Sequence, residues 1–437
     1  MKSFYKGALL LIIAAFVGEC IEVLVNVVLA KELGEEGLGL YMSILPTVIF
    51  VVVLASIELP ISISKFVAEK EQTFHRSMLM HALSFAAIWS LVFVIIAIWI
   101  LPMVPIFNHY HPLIPWMFIS LIPLITFSSV ARGYFMGAQK MGKIAFANLL
   151  RRAVQLAFLF FVFRIASFDG EVSIFIAICA LVASELLVFG YLFFSFLLQM
   201  NLLKKKPRAV MSGKKVRETL LEVSIPTTGL RIFHAATFAI KPFLIKEALV
   251  RAGMIESFAM AQYGNLAGVA FTIGFFPAFI AHSLLIVLIP TVSEAYSKGD
   301  LPYLRSLLRK VIGFTAGYGI PAVFVFYFYA EPLTSFFFEN SPSVRYLQLL
   351  ILYFLFHFFV IPLQAFLIGI GLVKDAFIHA VYSTLFSFSM MFVLGALPSM
   401  QMDGIILGMN MGAVLLTMMH YVTICQKLKI SLFLFRG

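Results

Sequence analysis

Glu19, Glu22 and Asn26 lie in an otherwise apolar stretch, spaced so that all three fall on one face of a helix. Two carboxylates one turn apart repel each other, more strongly in a low-dielectric setting, which suits them to hold a proton or a sodium ion. A second polar set, Arg231, His234 and Lys241, interrupts another largely apolar stretch. A guanidinium makes forked contacts with phosphate or pyrophosphate, so Arg231 suits an anionic headgroup, with His234 and Lys241 sharing a face beside it. Lys241, nearer the end of its stretch, also has the reach to extend to the membrane surface. The blander alternative is a structural ion pair of Arg231 with Glu19 or Glu22. Three further residues are secondary: Glu185, which stands alone in its segment, and Arg151 and Arg152, expected to touch the anionic lipid headgroups of the inner leaflet. Glu58 is expected near the inner end of its segment, in reach of water. His109 and His111 resemble a metal pair but have no evident third ligand, so no metal is expected. No phosphate loop, nucleophile triad or nucleic-acid module occurs, so neither an enzyme nor an organic cofactor is expected.

The elements that position these residues follow from composition. Of 437 residues, 62% are hydrophobic and 12% charged. A soluble domain carries about 25% charged residues, so this chain has too few to cover a water-facing surface. The net charge of +11 comes from basic residues in short loops, a mark of membrane orientation rather than of a nucleic-acid partner. Cys20, Cys179 and Cys425 sit inside apolar runs and read as packing residues. The first apolar run holds Glu19 and Glu22 and lacks a cleavage site, so it is expected to stay as a helix rather than act as a signal peptide.

A spanning helix needs about 20 apolar residues. On that basis twelve segments are expected, at roughly 7–30, 38–61, 79–102, 112–134, 145–167, 173–200, 220–245, 264–289, 309–330, 346–369, 377–398 and 404–426. With the N-terminus inside, the outer loops hold only Lys31, Arg164, Lys246, Arg251 and Arg345, and nearly all other Lys and Arg residues fall inside. That bias predicts a multi-pass protein of the cell membrane with both termini cytoplasmic. The chain also repeats itself: Leu59-Pro60-Ile61-Ser62 recurs as Ile289-Pro290-Thr291-Val292-Ser293, and nearly the same distance separates Pro60 from Gly137 as Pro290 from Gly369. The expected organisation is an N-terminal six-helix lobe (1–200), a basic cytoplasmic linker (201–219) and a C-terminal six-helix lobe (220–437). As parallel repeats, the lobes are related by an axis along the membrane normal.

Several stretches resemble a known family. Leu59-Pro60-Ile61-Ser62-Ile63-Ser64-Lys65-Phe66-Val67-Ala68-Glu69 and Arg132-Gly133-Tyr134-Phe135-Met136-Gly137-Ala138-Gln139-Lys140-Met141 resemble the exits of helices 2 and 4 in the stage V sporulation protein B group. Tyr263-Gly264-Asn265-Leu266-Ala267-Gly268 and Ile289-Pro290-Thr291-Val292-Ser293-Glu294-Ala295 resemble its helix 8. The matches keep their order along nearly the whole chain. That group is part of the multidrug/oligosaccharidyl-lipid/polysaccharide (MOP) exporter superfamily. The resemblance implies an all-α integral membrane fold of two pseudo-symmetric lobes around a central cavity, like the multidrug exporters and lipid flippases. It implies a monomeric transporter that moves a lipid-linked saccharide, or another amphipathic substrate, across the membrane by alternating access. A cation-coupled drug antiporter on the same fold, and a non-transporting factor for spore-envelope assembly, are the alternatives. Related lipid II flippases carry arginines where this chain has Glu19 and Val25, and an acid where it has Asn26.

Overall fold

The computed structural model of the protein describes residues 2–103, 107, 110–166, 168–204, 209, 212–429 and 431. Lys205, Lys206 and Arg208 of the basic linker, together with His109 and Arg436, lie outside the described residues. Among those described, the chain is helical and holds no strand. Among the described residues, ten helices are long and apolar enough to cross a membrane. This is an all-α, multi-pass membrane protein, and two compact units divide it, Met1–Ile240 and Lys241–Gly437.

The first unit opens with α1 (Lys2–Ser56), which joins the first two expected segments into one helix kinked at Gly34. Gly34 has φ 69° and ψ 179°, a backbone state that costs glycine little, so the chain turns there without a loop. The apolar part, Ile13–Ser56, is 44 residues long, about 66 Å at 1.5 Å per residue, roughly twice a hydrocarbon core. After a break at Ile57 and Glu58 the chain continues as α2 (Leu59–Glu69), then α3 (Gln72–Ile100), α4 (Ile114–Gly137), α5 (Met141–Ile165), α6 (Gly170–Lys204) and α7 (Gly213–Arg251). The boundary between the units falls within α7, which carries charged residues toward both ends and is not among the ten apolar spans of the described residues.

The second unit continues with α8 (Glu256–Gly264), a π-helical turn (Asn265–Ala270), α9 (Phe271–Gly274) and α10 (Ala278–Ser297). The expected segment 264–289 is therefore three pieces, broken before Ala278, where Pro277 cannot donate a backbone N–H. Then come α11 (Leu301–Phe328), α12 (Ala330–Thr334), α13 (Ser343–Leu349), α14 (Ile351–Gly369), α15 (Val373–Gly395) and α16 (Gln401–Leu428).

The sequence repeat is a repeat of packing. In the first unit α2 crosses α4, where a β-carbon on Gly137 would lie 2.5 Å from the Ser64 carbonyl oxygen and 2.6 Å from Val67 Cβ. In the second unit α10 crosses α14, where a β-carbon on Gly369 would lie 2.7 Å from Val292 Cβ and 3.1 Å from the Ile289 carbonyl oxygen. Each crossing anchors a core, with Ile63, Val67, Tyr134 and Phe135 in one unit and Val292, Phe366, Leu367 and Ile370 in the other. The C-terminus of α16 is held from α11 by Arg305, whose Nη2 donates to the Leu428 and Lys429 carbonyl oxygens, each at 3.2 Å. These bonds satisfy carbonyls that a helix end leaves open. Arg305→Ala is expected to cost about 1–2 kcal/mol, seen as a lower unfolding midpoint in detergent with the fold retained.

Candidate functional site

The chain leaves helical geometry at Ile57 and Glu58, with φ of 40° and 50°. Positive φ is unfavourable for both residues, above all for the β-branched Ile57. Pro60 explains the position: it has no N–H to give the Ser56 carbonyl, and at the first turn of α2 it loses no helical hydrogen bond. Side chains of neighbouring helices satisfy the end of α1. Trp89 Nε1 donates to the Leu54 carbonyl at 3.1 Å and Thr126 Oγ1 to the Ala55 carbonyl at 3.0 Å. The next helix starts from the Glu58 carbonyl, which accepts from Ile61 N at 3.1 Å. The break is thus a capped, fixed feature.

It places one carboxylate in the interior. The Glu58 side chain is 2% exposed and pairs with Arg231 Nη1 from the middle of α7, while the Arg231 side chain is 55% exposed. This corrects two expectations: Glu58 is buried rather than in reach of water, and Arg231 pairs with Glu58 rather than with Glu19 or Glu22. His234, one turn along α7, is exposed.

Glu19 and Glu22 share a different arginine. Arg152 Nη2 lies 3.1 Å from Glu19 Oε1, and its Nε lies 3.5 Å from Glu22 Oε2. Arg152 is 19% exposed and reaches α1 from α5, against which α1 packs. Asn26 is buried on the same helix. Arg151 turns the other way and holds Glu185 of α6, Nη1 to Oε1 at 3.2 Å. These contacts correct the reading of Arg151 and Arg152 as headgroup contacts and of Glu185 as a lone acid. The physical reason is length: α5 begins at Met141, so both arginines lie about 15 Å inside it, level with carboxylates on neighbouring helices. One cation between two acids leaves the Glu19–Glu22–Arg152 cluster with one formal negative charge.

In the second unit, Lys241 Nζ lies 6.0 Å from the Tyr353 ring centroid, at the outer limit of a cation–π contact. Tyr353 stacks on His357, and Phe275, at the end of α9, meets His357 edge-on at 4.8 Å. Lys241 therefore lies among aromatic rings, where the sequence suggested reach toward the membrane surface. His111 packs on Phe175, and among the described residues no cluster suited to a metal ion occurs. One polar pair had no mark in the sequence: His379 and His420, both buried, meet Nδ1 to Nδ1 at 3.0 Å between α15 and α16. Their separation along the chain hides a contact that only the antiparallel packing of two helices creates.

Comparison with known proteins gives a consistent picture. The family described as Polysaccharide biosynthesis protein matches residues 4–296, and that described as MatE matches residues 250–393. The chain is 53% identical over 437 residues to Sporulation protein YkvU of Bacillus subtilis (strain 168), covering 100% of this chain and 98% of the relative. It is 30% identical over 441 residues to Stage V sporulation protein B of the same organism, covering 99% and 85%. Among solved structures it resembles the inward-facing conformation of a multidrug resistance MATE family transporter of the MOP superfamily, with a TM-score of 0.76 over 94% of both chains at 15% identity. An outward-facing conformation of such a transporter gives a TM-score of 0.67, also at 15% identity, covering 99% of this chain and 97% of that one. At such identity these structures speak to the fold alone.

Proposed function

This chain belongs to the polysaccharide biosynthesis protein family of the MOP exporter superfamily, a family of transporters rather than enzymes, and from that membership we propose that it moves a lipid-linked saccharide across the cytoplasmic membrane. The observation that supports this reading most is Arg231. A half-exposed guanidinium, held at the middle of a helix by a buried carboxylate, suits the phosphate or pyrophosphate that joins lipid to sugar. His234 and Lys241 add polar groups along α7. Alternating access carries the bound headgroup from the inner to the outer leaflet while the lipid tail stays in the bilayer. The names of the relatives point to sporulation, and in this reading the setting is assembly of the spore envelope.

Coupling to a proton or sodium ion is part of the same proposal. Glu19 and Glu22, with Asn26 on their face and one arginine between them, keep an excess negative charge that suits a small cation. The strong excess of basic residues in one set of loops supports cytoplasmic termini, and those residues suit anionic lipids of the inner leaflet. The protein acts as a monomer in this reading.

The test is transport by the full-length protein in proteoliposomes, offered either a fluorescent isoprenyl-pyrophosphate saccharide or a cationic dye. Translocation of the lipid, reduced by Glu19→Gln to the extent that it depends on the ion gradient, is the expected result. Dye efflux abolished by Glu19→Gln, with no lipid movement, would instead establish a drug antiporter in which the acids bind substrate. Absence of both activities, with normal insertion, would favour the assembly factor.

A further inference from the structure

We propose that Glu58 and the anionic headgroup of the substrate take turns on Arg231, and that the carboxylate released each time binds a monovalent cation at the break between α1 and α2. This rests on the reading of Arg231 as the headgroup contact. It adds a second cation position, distinct from Glu19 and Glu22, whose occupancy depends on substrate.

The asymmetry of the ion pair is the starting point. Glu58 is 2% exposed and Arg231 is 55% exposed, so a ligand reaches the arginine but not the acid. A pyrophosphate offers several anionic oxygens to a planar fork that Glu58 meets at a single nitrogen. When the guanidinium turns to such a ligand, Glu58 stays behind without its partner. A buried carboxylate left unpaired is strongly unfavourable, and binding a cation removes that penalty. Coupling between the two ligands follows, because each favours the other for the same free-energy reason.

The break offers oxygen atoms of the kind a small cation takes. Pro60 supplies no N–H to the Ser56 carbonyl, so a backbone oxygen two residues before Glu58 lacks its usual helical donor. Just before the strained backbone at Ile57 and Glu58, Trp89 and Thr126 hold the Leu54 and Ala55 carbonyls, so the end of α1 stays anchored when the arginine moves. The helices that pack against α2 carry His75, Arg76 and His81 on α3 and Arg132 and Tyr134 on α4, and α2 itself carries Lys65 and Glu69. On α7 His234 adjoins Arg231. Arg132 is engaged by Asn148 Oδ1 at 2.9 Å and His75 by the Lys70 carbonyl at 2.9 Å, whereas Glu58 is engaged by Arg231.

The test uses the purified full-length protein in detergent and inorganic pyrophosphate as the probe, titrated across a series of pH values and sodium concentrations. The expected result is that pyrophosphate binds the parent more tightly as the coupling cation rises. Glu58→Gln should bind it about tenfold more tightly than the parent, because the competitor for Arg231 is gone. That variant should also lose the part of the cation dependence that Glu58 contributes, and what it keeps measures protonation of the probe and any cation held at Glu19 and Glu22. A dependence on pH alone identifies a proton, and one on sodium at fixed pH identifies sodium. Glu58→Asp keeps the charge and should keep a cation dependence with a shifted midpoint, which preserves the test if the glutamine variant folds poorly. Equal affinity and equal cation dependence in the parent, Glu58→Gln and Glu58→Asp would overturn this proposal while leaving Arg231 as headgroup contact. Unchanged binding in Arg231→Ala, or no binding in the parent and Glu58→Gln alike, would overturn the reading of Arg231 itself.

Discussion

Replacing Arg231 by alanine is expected to reduce translocation about a hundredfold, and to destabilise the protein as well. The two effects have different causes and come apart in a double variant. Loss of the forked contact removes two charge-assisted hydrogen bonds to the headgroup at about 1.5 kcal/mol each, together about 3 kcal/mol, and each 1.4 kcal/mol is roughly a factor of ten. Loss of the ion pair leaves Glu58 buried alone. Breaking a fully buried pair costs about 3–5 kcal/mol, but Arg231 is half exposed, so about 1–3 kcal/mol is the expected penalty here. Arg231→Ala combined with Glu58→Gln should therefore regain most of the thermal stability in detergent and none of the transport. Arg231→Lys keeps the charge without the planar fork and should fall between parent and alanine. If the double variant transported as well as the parent, the pair would be structural only.

The second large effect belongs to the helix crossings that repeat in the two units. A side chain on Gly137 would meet the Ser64 carbonyl oxygen at 2.5 Å, and one on Gly369 would meet Val292 Cβ at 2.7 Å. Neither obstacle is the end of a flexible side chain, so the helices must separate. Overpacking of this kind costs about 1–3 kcal/mol for one methyl group, and Gly137→Leu or Gly369→Leu is expected to prevent accumulation of folded protein. Gly142 is the control, since a β-carbon there meets nothing within 4 Å. Gly142→Ala should leave stability unchanged or raise it by up to about 1 kcal/mol, because alanine is the better helix former. Thermal unfolding of Gly137→Ala, Gly369→Ala and Gly142→Ala in detergent, read by size-exclusion chromatography, checks the order. Equal midpoints for Gly137→Ala and Gly142→Ala would show that the crossing is looser than its geometry indicates.

Much of this was legible in the amino-acid sequence, for physical reasons that differ by feature. The spans were visible because a helix in lipid must be apolar over its whole length, and the family because its motifs fall at helix exits where glycine and proline permit close crossings. The kink at Gly34 has a residue that marks it. The break at Ile57 and Glu58 does not: apolar character runs through it, and nothing in the identity of isoleucine or glutamate announces positive φ. Pro60 was visible but read as the end of a span rather than the cause of a break within one. Sequence placed Glu19, Glu22, Glu58, Arg151, Arg152 and Arg231 inside or beside apolar segments, where charges need partners. It could not match them, because pairing depends on which helix faces which. α5 turned Arg152 toward α1 and Arg151 toward α6, and α7 brought Arg231 to the break. Between Glu256 and Ser297, Pro277 marks the break before α10, whereas the π-helical turn at Asn265–Ala270 has no residue that announces it.

The central claim is that Arg231 carries an anionic lipid-linked headgroup through the protein. Its most direct test is the rate at which a fluorescent isoprenyl-pyrophosphate saccharide crosses proteoliposome membranes containing the parent or Arg231→Ala, at matched amounts of folded protein. The account predicts leaflet exchange with the parent and a rate about a hundredfold lower with Arg231→Ala. Equal rates for the two proteins would contradict it.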